Sequence, residues 1–515
     1  MHIDLKNPVL PVALMACLGL ALALGLTLAH GAGVSTDAVN YLSAADHLAG
    51  GAGLTNFEGQ PYVLWPPLYP ILLAIPEAAF RLDAVIFGGY LNAVAFAVII
   101  FLTGVLAGRI LDFDRPLTAF AAAACLLSPG TFAICVNIGS DAIFIVLILA
   151  FLLAFESYSC GRARRPLVWM TVLCGLACLQ RYIGATLILT GFVGIVYVHR
   201  GELRRGLAEG FAFAALSALP LLLYTARNYQ VSGTLIGVRN PSTWRPDQNL
   251  RDILFKASRW FVPYQLSSQP LFWLALILGV LALLTIALRR HRPSLAAGAP
   301  RSTVLVLALF SIVYLAAVIV LTKSVDHMNI LYDDRLYLPA FFSLFLLGLL
   351  FVRRVVLPAF RGRFAAVALS LAALVWLAFP ANGLYKFWAR CLDIGGIAYY
   401  NIYNLPVYRD SQVTRQLSTW VTDPTTTVFS DYPAAVYLFA RRDVLSLPSR
   451  TDFFGTATPL EDFAGVWPGA SSAVLVWYEP NTKRNLYGLT ELEQLARLEP
   501  EFTSDDGAIY RVLSK

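Results

Sequence analysis

Apolar runs long enough to cross a bilayer recur along this chain, and that recurrence leaves few architectures open. A spanning helix needs about 20 apolar residues. Runs of this kind fall at 8–29, 85–108, 117–136, 141–158, 167–180, 182–198, 207–226, 270–288, 303–322, 336–352 and 364–380, which reads as eleven spans, the fifth of them short. With 58% hydrophobic and 14% charged residues in 515, the composition belongs to a polytopic α-helical membrane protein. The first run lacks a small-residue cleavage site and many spans follow it. It is read as an uncleaved helix with its amino terminus inside, near Lys6.

Loop charge sets the orientation. The loops at 109–115, 162–165, 200–205, 289–301 and 353–363 are all arginine-bearing, which marks the cytoplasmic side. The opposite loops hold Asp37, Asp46, Glu58, Asp141, Asp333 and Asp334, with Arg181, Arg227 and Arg335 among them. The apolar segment at 65–76 is short and broken by prolines, so it is read as a helix at or dipping into the outer interface. Were it to cross, every arginine-rich loop would lie outside. The net charge of +7 sits in short loops beside spans, so it is no sign of nucleic-acid binding. Seven scattered cysteines give no disulfide framework, and Cys174 with Cys178 reads as two small residues packing on one helix face.

Two domains follow: a transmembrane part at 1–380, whose first outer loop is 30–84, and an extracytoplasmic tail at 381–515. The tail reads as a small α/β domain. Strands are expected at 427–430, 444–447 and 473–478, and helices at 412–421 and 489–498. The inside loops are too short for a nucleotide-binding domain and no glycine-rich phosphate loop is present, which argues against cytosolic ATP or nucleotide-sugar chemistry.

The first outer loop is the richest stretch. Asp37 follows the first span almost at once, and Tyr41, Ala45 and Leu48 share one helical face, as in a helix resting on a membrane surface. Glycines at 50, 51 and 53 stop that helix before the Trp65-Pro66-Pro67 turn. Asp37 also fits a helix N-terminal carboxylate.

An Asp beyond the first span, a Tyr four residues on, an A-x-x-L-x-x-G stretch and a W-P-P-L-Y-P turn together resemble the first periplasmic loop of GT-C glycosyltransferases. These integral membrane enzymes use polyprenyl-phosphate sugars; aminoarabinose transferases, protein O-mannosyltransferases and rhizobial lipopolysaccharide galacturonosyltransferases are examples. The likeness extends to Ser140-Asp141 opening a span, Gly175-Leu176-Ala177 leading to Arg181, Arg227-Asn228-Tyr229 after a span, and Asp334-Arg335 before Tyr337. Each motif is loose by itself; order and sidedness carry the match.

The resemblance implies a GT-C fold and an inverting sugar transfer at the outer face, from a polyprenyl-phosphate donor to an envelope glycan or glycolipid. It assigns the general base to Asp37 and a second acidic role to Asp141. A carboxylate suits this chemistry because it is ionised at neutral pH and steadies positive charge developing on the sugar ring. A phosphate leaving group needs cations rather than an acid, and Arg335, Arg181 and Arg227 are the candidates. Arg227 fits a snorkelling side chain equally well, and Arg181 a structural bridge to Asp141 or Glu58. Tyr41, Glu58, Trp65, Asp334 and Tyr337 are expected to line the substrate site. Trp244, Trp260 and Tyr264 suit either sugar stacking or interfacial anchoring. Asp37-Ala38-Val39-Asn40 lacks a second carboxylate two residues along, so metal-independent catalysis is expected, with a divalent cation left open. The expected location is a bacterial inner membrane, with the tail in the periplasm. A flippase of lipid-linked glycans, or a non-catalytic scaffold for envelope assembly, are the competing readings.

Overall fold

The apolar runs other than 270–288 fold as helices in a computed structural model, which describes residues 9–239, scattered positions between 255 and 278, 301–322, 334–359, 363–398 and most of 402–514. Ten helices fill the described residues up to Ser232 and include those of the first loop. They are α1 (Val9–His30), α2 (Thr36–Ala49), α3 (Leu68–Phe80), α4 (Ala84–Ile110), α5 (Arg115–Leu126), α6 (Pro129–Cys135), α7 (Asp141–Gly161), α8 (Arg164–Gln180), α9 (Thr186–Val198) and α10 (Leu203–Ser232). Three more follow, α11 (Arg301–Thr322), α12 (Leu338–Phe351) and α13 (Arg363–Ile394).

Among the described residues, seven helices are long and apolar enough to cross a membrane, or eight if the pair α5 and α6, bent by 54°, is one span. The eleven expected spans exceed this by three. Arg164–Gln180 has 17 residues, Tyr182–Val198 opens with a 3-10 turn and is similarly short, and 270–288 lies outside the described residues. Trp244 and Asp333 lie outside them too. The bend between α5 and α6 has a local cause: Ser128 caps α6, accepting from Thr131 N at 3.3 Å, and Pro129 takes the first helical position. The segment at 65–76 resolves into α3, a helix of 13 residues.

The two ends of the bundle differ in chemistry. Arg109 pairs with Glu156 at 2.9 Å, Arg162 with Glu202 at 3.5 Å and Arg353 with Asp114 at 3.5 Å, so the arginine-bearing loops meet at one end. The first loop, the start of α7 and the segment after α8 meet at the other. The helix α13 continues through Pro380 to Ile394, so the boundary expected at 380/381 falls inside a helix.

The tail is a five-stranded sheet in the order β2-β1-β3-β5-β4. Its strands are β1 (Thr427–Ser430), β2 (Leu445–Ser446), β3 (Ala473–Tyr478), β4 (Ala496–Ser504) and β5 (Gly507–Ser514), with β1 parallel to β2 and β3, and β5 antiparallel to β3 and β4. One face carries α14 (Gln412–Trp420) and α15 (Pro433–Ala440); the other covers Phe429, Trp467 and Leu475. The helix expected at 489–498 is corrected: only Leu489–Leu492 is helical, and Ala496 begins β4. Good helix formers yield there to strand pairing with β5.

The first-loop helix α2 is also corrected. It does not rest on a surface, because eight consecutive residues, Ala38 to Ala45, are buried. Its apolar side chains share one cluster with Tyr69 and Leu73 of α3 and with Val436 and Tyr437 of α15.

Close packing of α1 on α4 depends on small residues, as membrane helix contacts do. A Cβ at Gly104 would lie 2.5 Å from Val12 Cγ1, and Val12 is stiff and fully buried. Gly104→Val is therefore expected to cost about 1–3 kcal/mol by overpacking, whereas Gly161→Ala, with open space around it, is expected to leave stability unchanged. Thermal unfolding in detergent reads both; equal melting temperatures for the two variants would contradict this packing.

Candidate active site

The site is built where the start of α2, the start of α7, the end of α8 and the turn Asp334–Leu336 converge. Ser35 caps α2, its Oγ accepting from Ala38 N at 3.3 Å. That leaves the Asp37 carboxylate in the first turn available for a partner, and Arg335 Nη1 donates to its Oδ2 at 2.9 Å. The two side chains are 30% and 29% exposed, so the pair is reachable from solvent. The turn that carries Arg335 is fixed by Tyr314, whose hydroxyl donates to Leu336 O at 3.0 Å.

One helical turn beyond Asp37, Tyr41 is buried with its hydroxyl 3.1 Å from Ser140 Oγ. Its ring meets Trp65 and Tyr69 edge-on, with centroids 5.8 and 5.2 Å apart. Burial, and next the Asp37 charge, raise the Tyr41 pKa, so it stays a neutral phenol. Arg181 Nη1 donates to Asp141 Oδ1, and lies 3.4 Å from Ser140 Oγ. Gln180 Nε2 donates to Ser140 O at 2.9 Å, and Asn92 Nδ2 to Asn137 O at 2.5 Å. The chain entering α7 is thereby held by side chains, together with a backbone bridge to Gly33, whose N donates to Val136 O and whose O accepts from Ile138 N, each at 2.9 Å.

Beside this cluster lies a cavity of about 180 Å³. Arg181, Arg239 and Tyr182 supply its polar lining, and Leu64, Trp65, Ile183, Ile236, Val318, Leu321 and Leu336 line it with apolar surface. Arg239 donates to Leu64 O. Burial draws the Arg239 pKa below its usual value, with Tyr182 and Asp37 acting against that shift. A guanidinium remains cationic under such a shift, and its desolvation makes an incoming anion favourable. Three guanidiniums, Arg181, Arg239 and Arg335, thus stand against two carboxylates, Asp37 and Asp141.

Of the residues singled out in the sequence, Asp37, Tyr41, Trp65, Asp141, Arg181 and Arg335 come together. Asp334 opens the turn that presents Arg335, and Tyr337 is buried at the start of α12. Two are directed elsewhere. Arg227 donates to Tyr62 O at 3.0 Å and Leu54 O at 3.2 Å, closing the first loop onto the end of α10. Glu58 accepts from Ser446 Oγ at 2.6 Å, on the C-terminal domain. Trp260 packs edge-on against Phe341 at 5.4 Å, among membrane-helix side chains. Arg239 and Tyr182 are additions from the structure. The one signal for Arg239 is that it is the first charge after Arg227, following the apolar run 235–238. Among the described residues, no group of three His, Cys, Asp or Glu is placed to hold a metal ion.

No protein-family profile and no curated protein matches the chain. Solved structures do. ArnT from Cupriavidus metallidurans in the apo state superposes with a TM-score of 0.63 at 14% identity, over 96% of this chain and 97% of that one. The same protein bound to undecaprenyl phosphate gives 0.62 at 14% identity over the same shares. Nearly end-to-end superposition at such low identity is a likeness of fold, extending through the apolar helices and the C-terminal sheet alike. This chain has the GT-C fold.

Proposed function

We propose that this chain is a glycosyltransferase that moves one sugar from a polyprenyl-phosphate donor to an envelope glycan or glycolipid, with inversion, at the outer face of a bacterial inner membrane. The amino terminus lies in the cytoplasm and the C-terminal domain outside it in this reading. The observation that carries the proposal is a cavity lined by apolar side chains and by two guanidiniums, Arg181 and Arg239, the second within electrostatic reach of the Asp37 carboxylate. A lipid phosphate has that same division, an isoprenoid chain and an anionic head. ArnT, whose fold this is, has been captured with undecaprenyl phosphate bound.

In the proposed step, Asp37 accepts the proton of an acceptor hydroxyl as its oxygen attacks the anomeric carbon. The bond from that carbon to the phosphate oxygen breaks, and the electron pair leaves on the lipid phosphate. Arg181 and Arg239 neutralise the departing phosphate, while Arg335 orients Asp37 from the other side. Asp141 fixes Arg181, and Tyr41 fixes Ser140 beside it. The phosphate charge is met by guanidiniums, so the proposal assigns no step to a divalent cation.

The test is transfer by purified protein from radiolabelled polyprenyl-phosphate sugars to an envelope extract. Asp37→Asn is expected to lower the rate by about 10²–10⁴-fold while the protein remains folded. Transfer that survives this substitution would remove Asp37 as the base. Arg239→Met is expected to raise KM for the donor by about tenfold or more, the loss of one charge-assisted contact of about 1.5–3 kcal/mol. An unchanged donor KM would take Arg239 out of the phosphate site.

A further inference from the structure

Away from the cavity, the C-terminal domain meets the first loop through a cluster of charges. Arg441 follows α15 and sits at φ +52°, in the left-handed region that favours glycine or asparagine. An arginine there points to a use for the side chain. Its Nη1 donates to Asp46 Oδ2 of α2 at 3.0 Å, and its Nη2 to Asp83 Oδ2, at the N-cap of α4, at 2.8 Å. The Tyr437 hydroxyl donates to the same Asp46 oxygen at 2.7 Å.

The other Asp46 oxygen, Oδ1, is buried without a hydrogen-bond partner, and so is Oε2 of Glu77 on α3. The two carboxyl groups lie within hydrogen-bonding reach of each other. Two carboxylates cannot bond, but a carboxylic acid and a carboxylate can, and one proton between them satisfies both orphaned oxygens. Asp46, Glu77 and Asp83 surround a single guanidinium, so the charge balance asks for that proton as well.

We infer that a protonated Glu77 carboxyl donates to Asp46, and that this pair, with Arg441, is a latch by which the C-terminal domain positions the helix bearing Asp37. Arg441 is a positioning residue in this scheme, and its link to catalysis rests on the proposed role of Asp37. The groups facing Glu77 are Asp46 from α2, Asp83 from the start of α4 and Arg441 beyond α15. His47 directly follows Asp46, and its partner Asp443, at 3.1 Å, lies two residues beyond Arg441. The helix α8 also packs on α3 and carries its charges, Arg164 and Arg165, at the end opposite Gln180.

Burial, and next the Asp46 charge, push the Glu77 pKa up to about 7. A carboxyl whose pKa is raised on folding favours the folded contact at low pH, and that contribution is lost as pH rises from the ordinary value of about 4.5 through about 7. The latch is therefore closed in mildly acidic medium and loosens above neutrality.

Hydrogen exchange of the full chain in lipid nanodiscs, corrected for the intrinsic pH dependence, tests this directly. Protection of 41–48 and 437–444 is expected to fall by about tenfold or more between pH 5.5 and 8.5. Glu77→Gln, whose amide donates to Asp46 without titrating, is expected to keep protection high and level with pH. Arg441→Met is expected to lose protection at both pH values, and Arg441→Lys to restore part of it. Wild-type protection that does not change with pH, or a Glu77→Gln variant that titrates like the wild type, would overturn the latch. This readout stands apart from transfer. Transfer unaffected by Asp37→Asn, with the latch intact, would remove the base assignment and leave the acid pair in place.

Discussion

The burial of α2 on every side is the constraint on which the rest of this structure depends. A helix lying on a membrane needs one apolar face, yet eight successive residues of α2 are enclosed. Ser43 and Asn40 are among them, and each finds a bond within the helix: Ser43 Oγ donates to Asn40 O, and Asn40 Nδ2 to Thr36 O. Enclosure requires walls, and these come from α3, α4 and α15. The C-terminal domain is thus part of what holds the first loop. Its backbone joins in as well, with Tyr403 N donating to Val34 O at 2.8 Å and Val444 N to Phe57 O at 2.9 Å.

Held this way, the start of α2 delivers Asp37 to a point where three other segments bring charge. Each of those charges sits at a helix end or in a turn: Asp141 opens α7, Arg181 follows α8, and Arg335 lies in a 3-10 turn. Charged side chains gather at such breaks because the backbone there has spare groups and needs polar company. The same breaks leave room for the cavity, so binding space and charge share one physical origin.

Much of this was legible in the sequence. Apolar period and loop charge marked the helices, and Asp37, Arg181, Asp141 and Arg335 stood out as charges at span ends. What the sequence hid was the direction of side chains. Arg227 lies in the last turns of α10 and Arg239 just beyond it, yet one closes onto the carbonyls of Tyr62 and Leu54 while the other lines the cavity. Glu58 sits in the first loop and turns to Ser446, nearly four hundred residues later in the chain (|i−j| = 388). The strand β4 was hidden for another reason. Its residues favour helix locally, and the decisive cue was the Asp505-Asp506-Gly507 turn that pairs it with β5. Long-range pairing outweighed local propensity there.

The two acidic residues of α2 show how one helix serves both domains. Asp37 lies in the first turn, where free backbone N–H groups and the helix dipole favour negative charge. It needs one cation, Arg335, and remains partly open to solvent. Asp46 lies near the opposite end, where the dipole opposes a carboxylate. It accordingly gathers Arg441, the Tyr437 hydroxyl and the Glu77 carboxyl around it. The favourable end is left free for chemistry, and the unfavourable end is where the second domain supplies compensating charge. A domain that must neutralise Asp46 in order to seat is held in register with Asp37, two and a half helical turns away at about 3.6 residues per turn.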